Sequence, residues 1–220
     1  MSMHLAREID SLKNHVLEVG TLVEENTSAA VRALENRDEQ LAQDTIQADW
    51  QIDEMEVTVE EECLKILALH QPVAADLRFI VAVLKINNDL ERIGDLGVNI
   101  AERTLSLVHE EAISLPLDFR KMTEQAQTML REGLDALVNM DMEKARAIPR
   151  EDDKVDAINK EMYEVVKKGI NENPHHLDQL IHLLSISRHI ERIADLTTNI
   201  AEDVLYMGSG EITRHQHSVT

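Results

Sequence analysis

The sequence predicts an all-α protein made of two tandem, similar antiparallel three-helix bundles, and three observations carry that prediction. The first is composition: 43% of the 220 residues are apolar, only 2% are aromatic and 7 are glycine. Leu, Ala, Glu, Ile and Val dominate, which favours helices over sheets. The second is the recurrence of apolar residues at steps of three and four over long stretches. The third is an internal repeat. Glu91-Arg92-Ile93-Gly94-Asp95-Leu96-Gly97-Val98-Asn99-Ile100-Ala101-Glu102 returns as Glu191-Arg192-Ile193-Ala194-Asp195-Leu196-Thr197-Thr198-Asn199-Ile200-Ala201-Glu202, 100 positions later. Asp49-x-x-x-Asp53 likewise matches Asp152-x-x-x-Asp156, and that alignment also pairs Asn36 with Asn139 and Asp38 with Asp141. A unit of this length suits a duplicated small domain rather than a solenoid repeat.

Each element follows from local pattern. Leu5, Ile9, Leu12, Val16, Val19, Val23, Ala30 and Leu34 mark one face of a long first helix. A second helix is predicted over 38–69. Asp38 can cap its N-terminal amides, and His70-Gln71-Pro72 ends it because proline disfavours helical backbone just before it. A third covers 74–108. Ser114-Leu115-Pro116 then divides the chain into units at 1–113 and 114–207. The fourth helix covers 117–139, with Met122, Ala126, Met129, Leu137 and Met140 inward. The fifth covers 141–170, and Pro149 is expected to kink or break its early turns. After the break at 171–174, the sixth covers 177–207, with Leu180, Leu184, Ile193, Ile200 and Val204 inward. Residues 208–220 read as a polar, frayed tail in which His215 and His217 are solvated rather than ligands.

Charge narrows the function. A formal net charge of −20 argues against nucleic acid, whose phosphates need Lys and Arg, and against adhesion to anionic lipid. It suits cations or a basic protein surface. Cys63 stands alone, so no internal disulfide is possible, and it is expected to pack as a small hydrophobe. His4, Arg7, Glu8 and Asp10 interrupt any apolar run a signal peptide would need, and no stretch reaches the ~18 apolar residues of a membrane span. A cytoplasmic location is expected.

The repeated motif is a carboxylate face. At about 100° per residue, Asp95, Asn99 and Glu102 fall within about 80° of Glu91, while Ile86, Leu90, Ile93 and Ile100 lie on the opposite side. Glu191, Asp195, Asn199 and Glu202 have the same geometry. Asp49, Asp53, Glu56 and Glu60 form a similar stripe on the second helix. Asp152 and Asp156 repeat its start, with Asn159 and Tyr163 in place of the later acids, so the second half should carry less charge there. Acids four residues apart repel one another and destabilise an isolated helix, and a bridging metal relieves that repulsion. With only carboxylate and amide oxygens at the matched positions, the face suits Mg²⁺, Mn²⁺, Ca²⁺ or hard Fe³⁺. It lacks the Cys or His of structural zinc and the Glu-x-x-His of di-iron bundles. Arg92 and Arg192 sit within the motif, either pairing with neighbouring carboxylates or holding an anion near the metals. Gly94 and Gly97 face the packed side of the third helix, where their small size permits close approach. Trp50 is expected to pack, although an exposed Trp there would be a strong partner contact.

Two three-helix halves, each with an Asp-x-x-x-Asp helix and a Glu-Arg-Ile-x-Asp helix, closely resemble the PhoU family of phosphate-transport accessory proteins, from about Leu5 to Met207. The resemblance implies a cytoplasmic negative regulator of the phosphate-starvation response that links the ATPase subunit of the phosphate ABC transporter to a sensor histidine kinase. It would touch the membrane only through those partners. It also implies multinuclear metal binding (Mg, Mn or Fe) through Asp49, Asp53, Glu91 and Asp95 in the first half and Asp152, Asp156, Glu191 and Asp195 in the second. Asn99, Glu102, Asn199 and Glu202 extend these sets. No enzymatic activity is implied, and a homodimer is expected. Two other readings exist: a metal-dependent phosphohydrolase, which lacks a nucleophile motif and a Gly-rich phosphate loop here, and a structural acidic helical dimer.

Overall fold

A computed structural model describes residues 3–113 and 115–209. Ser114, where the sequence divides the chain, and most of the predicted tail, with His215 and His217, lie outside the described residues. The described residues form α1 (Met3–Asn36), α2 (Glu39–Ala48), α3 (Trp50–His70), α4 (Ala74–Val108), α5 (Phe119–Asn139), α6 (Met142–Glu172), a 3₁₀ turn at Pro174–His176, and α7 (Leu177–Ser209), with no strand among them. These are six helical rods, the second interrupted once, in two sets of three.

The turns of the two halves are built alike. Asp38 N–H reaches Ala33 O at 2.9 Å and Arg37 N–H reaches Leu34 O at 3.3 Å, closing α1. Asp141 N–H to Ala136 O (2.9 Å) and Met140 N–H to Leu137 O (3.3 Å) close α5 in the same way. Both are Schellman closures with the penultimate residue left-handed, Arg37 at φ 53° and Met140 at φ 56°. Asp38 then accepts from Leu41 N–H, and Asp141 from Glu143 and Lys144 N–H, capping the next helix. Met140 is therefore not inward, as its spacing suggested, but 40% exposed at the turn.

One expectation about helix continuity is corrected, and of the kink or break expected at Pro149 the break does not occur. The single rod expected over 38–69 is interrupted at Asp49, where Ile52 N–H bonds Asp49 O at 2.8 Å in a tightened turn. Conversely, α6 runs unbroken through Pro149. Pro149 faces solvent while Ala145 and Ile148 are fully buried, and that packing holds a turn that has lost one backbone hydrogen bond.

The halves join through two antiparallel helix pairs. Along α4 and α7, Arg78 Nε donates to Met207 O at 3.0 Å and Lys85 pairs with Asp203 at 3.1 Å, while Arg103 lies beside His189 further along. Along α1 and α5, Glu35 pairs with Arg120, and Glu24 with Arg131 and Gln127. Ile86, Leu90, Ile93 and Ile100 of one half and Met122, Met129, Ile193 and Ile200 of the other belong to one contiguous core. Positions 91–100 and 191–200 share the same burial pattern residue by residue. Cys63 is buried as expected; burial, with the nearby charges of Glu62 and Glu60, pushes its thiol up to about 12.

Gly97 seats α4 against α1. A Cβ there would lie 2.1 Å from Asn26 Oδ1, and Asn26 cannot easily retreat because it is buried and its Nδ2 donates to Thr45 O. Gly97→Ala is expected to lower stability by about 1 kcal/mol. Overpacking costs roughly 1–3 kcal/mol and outweighs the roughly 1 kcal/mol gained from alanine's helix propensity. Chemical denaturation checks this, and a raised midpoint would show that the contact is soft.

Candidate metal centre

The first acidic seam forms where the α2–α3 break meets α4. Asp49 sits between the two helices, a position where an aspartate commonly caps, yet it makes no side-chain cap bond. Its Oδ1 lies 3.4 Å from where a Gly94 Cβ would be, so the missing side chain brings the carboxylate close to α4. Burial, then the charges of Asp53 and Asp95, pushes Asp49 up to about 6. Glu91 is raised by burial and then by Asp95, Asp53, Glu56 and Asp49. Glu56 is raised by burial, Glu60 and Asp53. The structure therefore brings Asp49, Asp53, Glu91 and Asp95 together across adjacent helices, and adds Glu56.

The second seam lies between α6 and α7. Burial pushes Asp152 up to about 7, helped by Asp195, Asp156, Glu191 and Asp153. Asp195 is raised by burial and Asp156, and Glu191 by burial, Asp195 and Asp156. Arg192 opposes both shifts, and Arg188 opposes that of Glu191. The place of Glu56 is taken by Asn159, which accepts a hydrogen bond from Ser187. The second seam is thus the less negative one, as the sequence predicts. Arg92 does pair with a neighbouring carboxylate, Asp89 at 3.3 Å, two residues before the motif begins.

The outer motif residues stand apart. Asn99 turns its amide onto Asp95 O at 2.8 Å, and Asn199 is half-buried at the matching place. Glu102 is exposed and Glu202 half-buried, and neither is among the charges acting on the raised carboxyls. Each lies seven residues beyond Asp95 or Asp195, about 10 Å along the helix.

As the side chains stand, no group of three or more His, Cys, Asp or Glu among the described residues is arranged to hold a metal ion. The donor chemistry nevertheless fits a hard cation. One carboxylate oxygen of Asp152 is buried without a hydrogen-bond partner, and the charges nearest Asp49 and Asp152 are other carboxylates. A metal would have to draw these side chains together by rotation. A groove of about 590 Å³ lined by Glu24, Asn26, Arg32, Asp44 and Gln127 contains none of the proposed ligands.

Sequence reasoning left two features out of the site. Glu56 belongs to the first seam, but its lack of a repeat partner kept it out of the ligand set. Arg188 and His189 of α7, with Arg103 of α4 beside them, lie next to the second seam in mid-helix, and nothing in the repeat points to them.

The chain is an all-helical duplicated bundle with an acidic seam in each half. The PhoU domain model matches residues 16–104 and again 119–204. The Phosphate-specific transport system accessory protein PhoU homolog of Aquifex aeolicus is 35% identical, covering 98% of this chain and 97% of its own. The homolog of the same name in Pseudomonas aeruginosa is 36% identical over 98% and 89%. The crystal structure of PhoU from Pseudomonas aeruginosa superposes with a TM-score of 0.87 at 35% identity, covering 94% of this chain and 99% of that one. That of the phosphate transport system regulatory protein PhoU from Streptococcus pneumoniae gives 0.84 at 30%, over 94% and 98%. The chain belongs to the PhoU family.

The raised carboxyls set a pH dependence. A folded carboxyl that binds its proton more tightly than the unfolded one makes the folded state the better proton acceptor between about 4 and the raised value, so stability falls as pH rises through that window. For Asp49 and Asp152 the window closes at about 6 and about 7. The metal-free protein is expected to melt at a higher temperature at about pH 5 than at about pH 7.5, and Asp49→Asn with Asp152→Asn should narrow that difference. Thermal melts in chelator check both.

Proposed function

We propose that this protein is a cytoplasmic, metal-binding regulator of phosphate uptake. In this reading it holds the phosphate-starvation two-component response off by coupling the ATPase subunit of the phosphate ABC transporter to the sensor histidine kinase. The observation that carries the reading is the pair of seams in which Asp49 and Asp152 are partly buried among like charges. They lie in a chain whose relatives are named as accessory proteins of the phosphate-specific transport system. No helix among the described residues is long and apolar enough to cross a membrane, so contact with the transporter would be made from outside the bilayer.

The proposed ligands are Asp49, Asp53, Glu91 and Asp95, with Glu56 as a further donor, and Asp152, Asp156, Glu191 and Asp195. Asn99, Glu102, Asn199 and Glu202 extend each set. A bound Mg, Mn or Fe ion would supply the positive charge that these oxygens lack. Two similar acidic faces on one chain would let one molecule engage two partners, or two copies of one, which raises effective concentration at the membrane.

The test has two arms. Glu91→Gln with Asp95→Asn should lower bound metal by elemental analysis while helix content is kept, because Asp95 is exposed and Glu91 lies at the edge of the core. Glu191→Lys with Asp195→Lys should derepress a phosphate-starvation reporter at high phosphate. Unchanged metal in the first variant overturns the ligand assignment. Full repression by a folded, abundant second variant removes the α7 face from the mechanism.

A further inference from the structure

On the outer side of α3, Trp50, Val57 and Leu64 are 59%, 50% and 53% exposed. They recur every seven residues and lie within about 40° of one another around the helix, so they form one continuous ridge about 21 Å long. The ridge points away from the core: Ile52, Val59, Cys63 and Ile66 occupy the buried side of the same helix. Large apolar side chains aligned in this way on a solvent face mark an interaction surface rather than chance exposure.

The duplication supplies an internal control. With Asp49 matched to Asp152, the ridge positions correspond to Asp153, Lys160 and Lys167, all exposed. The buried positions correspond to Val155, Met162, Val166 and Gly169, all buried. The two helices thus pack into their bundles with the same pattern, and α6 does so with charged residues where α3 carries Trp, Val and Leu. The fold does not need the apolar ridge. Trp50, expected to pack, is the most exposed of the three.

Charge selects the occupant. Glu54 and Glu61 flank the ridge on one side and Asp53 and Glu60 on the other, and all four are exposed. Lys65, further round, is paired with Glu8 at 3.3 Å. A second copy laid along this face would bring acids against acids in a chain of net charge −20. A helix with apolar residues at three-and-four spacing and Lys or Arg on both flanks meets the ridge with its own ridge and the acids with opposite charge. We infer that the outer face of α3 is a docking surface for a basic amphipathic helix of a partner protein, with Trp50, Val57 and Leu64 as its apolar anchors. None of the three anchors is a proposed ligand; of the four flanking acids only Asp53 is, so Glu54, Glu60 and Glu61 keep the face acidic whatever becomes of the metal assignment.

Trp50 is the one tryptophan in the chain, so its emission reports on this surface alone. The full-length protein, freed of metal with chelator, would be titrated with a synthetic 21-residue helical peptide carrying Leu at the heptad core positions and Lys and Arg beside them. Docking should move Trp50 emission to shorter wavelength and raise peptide anisotropy together. Val57→Ser with Leu64→Ser keeps the net charge and touches only exposed positions; it should weaken binding at least tenfold with unchanged circular dichroism. A scrambled peptide of the same composition should leave the emission unmoved. Equal affinity in the double variant, or an equal response to the scrambled peptide, overturns the inference. So does an emission shift driven by protein concentration alone with a doubling of mass, which would make a second copy the occupant.

Discussion

Asp49 and Asp152 hold their carboxylates in helix seams where the charges acting on them are other carboxylates, and the acidic surface of each half is organised around that unfavourable arrangement. Burial removes the water that would screen the charges, and raised proton affinity is the response available to the protein without a cation. Helix packing creates the condition. α2 and α3 bring Asp49 and Asp53 to α4, α6 brings Asp152 and Asp156 to α7, and the apolar sides of these helices fix them in place. The repulsion is carried by a core that extends through both halves. A protein of this build can tolerate two destabilised surface seams because its packing does not depend on them.

The two halves have kept their turns, caps and acidic seams while other positions have diverged. The Schellman closures at Arg37 and Met140, the caps at Asp38 and Asp141, and the burial pattern along α4 and α7 are shared. Gly94 and Gly97 become Ala194 and Thr197 at packed positions, and the solvent side differs as well. Glu56 becomes Asn159 hydrogen-bonded to Ser187, Asn88 becomes Arg188, which tempers the second seam, and the ridge of α3 becomes charged on α6. The halves therefore offer one strongly acidic face beside an apolar ridge and one milder face beside a basic cluster.

Most of the fold was legible in the sequence because helix periodicity, caps and Pro-marked turns are local signals. The α4 boundaries 74–108 and the start of α7 at Leu177 follow directly from the pattern. The break at Asp49 was not legible, since Ala48, Asp49 and Trp50 contain no helix breaker and the tightened turn comes from how α2 and α3 lie on α4. Pro149 misled in the opposite direction, because burial of Ala145 and Ile148 outweighs one missing hydrogen bond. Met140 fits the apolar spacing of α5 but closes the helix in a left-handed turn. In the site, the repeat pointed to the four acids of each seam. Glu56 was read on the acidic stripe but left out of the ligand set, its counterpart being Asn159, while the set was extended to Glu102 and Glu202, which share the helix face but lie two turns away. The exposure of Trp50 depends on which side of α3 meets the core, and a single tryptophan in a sequence carries no such information.

The central claim, that the seams are cation sites held in a partly protonated state, is tested most directly by counting protons. Mn²⁺ would be titrated into the metal-free protein near pH 6.5 by calorimetry in buffers of different ionisation enthalpy. Metal competing for carboxyls whose proton affinity is raised should displace protons, and the release should shrink in Asp49→Asn with Asp152→Asn. Saturable binding with no proton release, or release unchanged in that variant, would contradict the assignment.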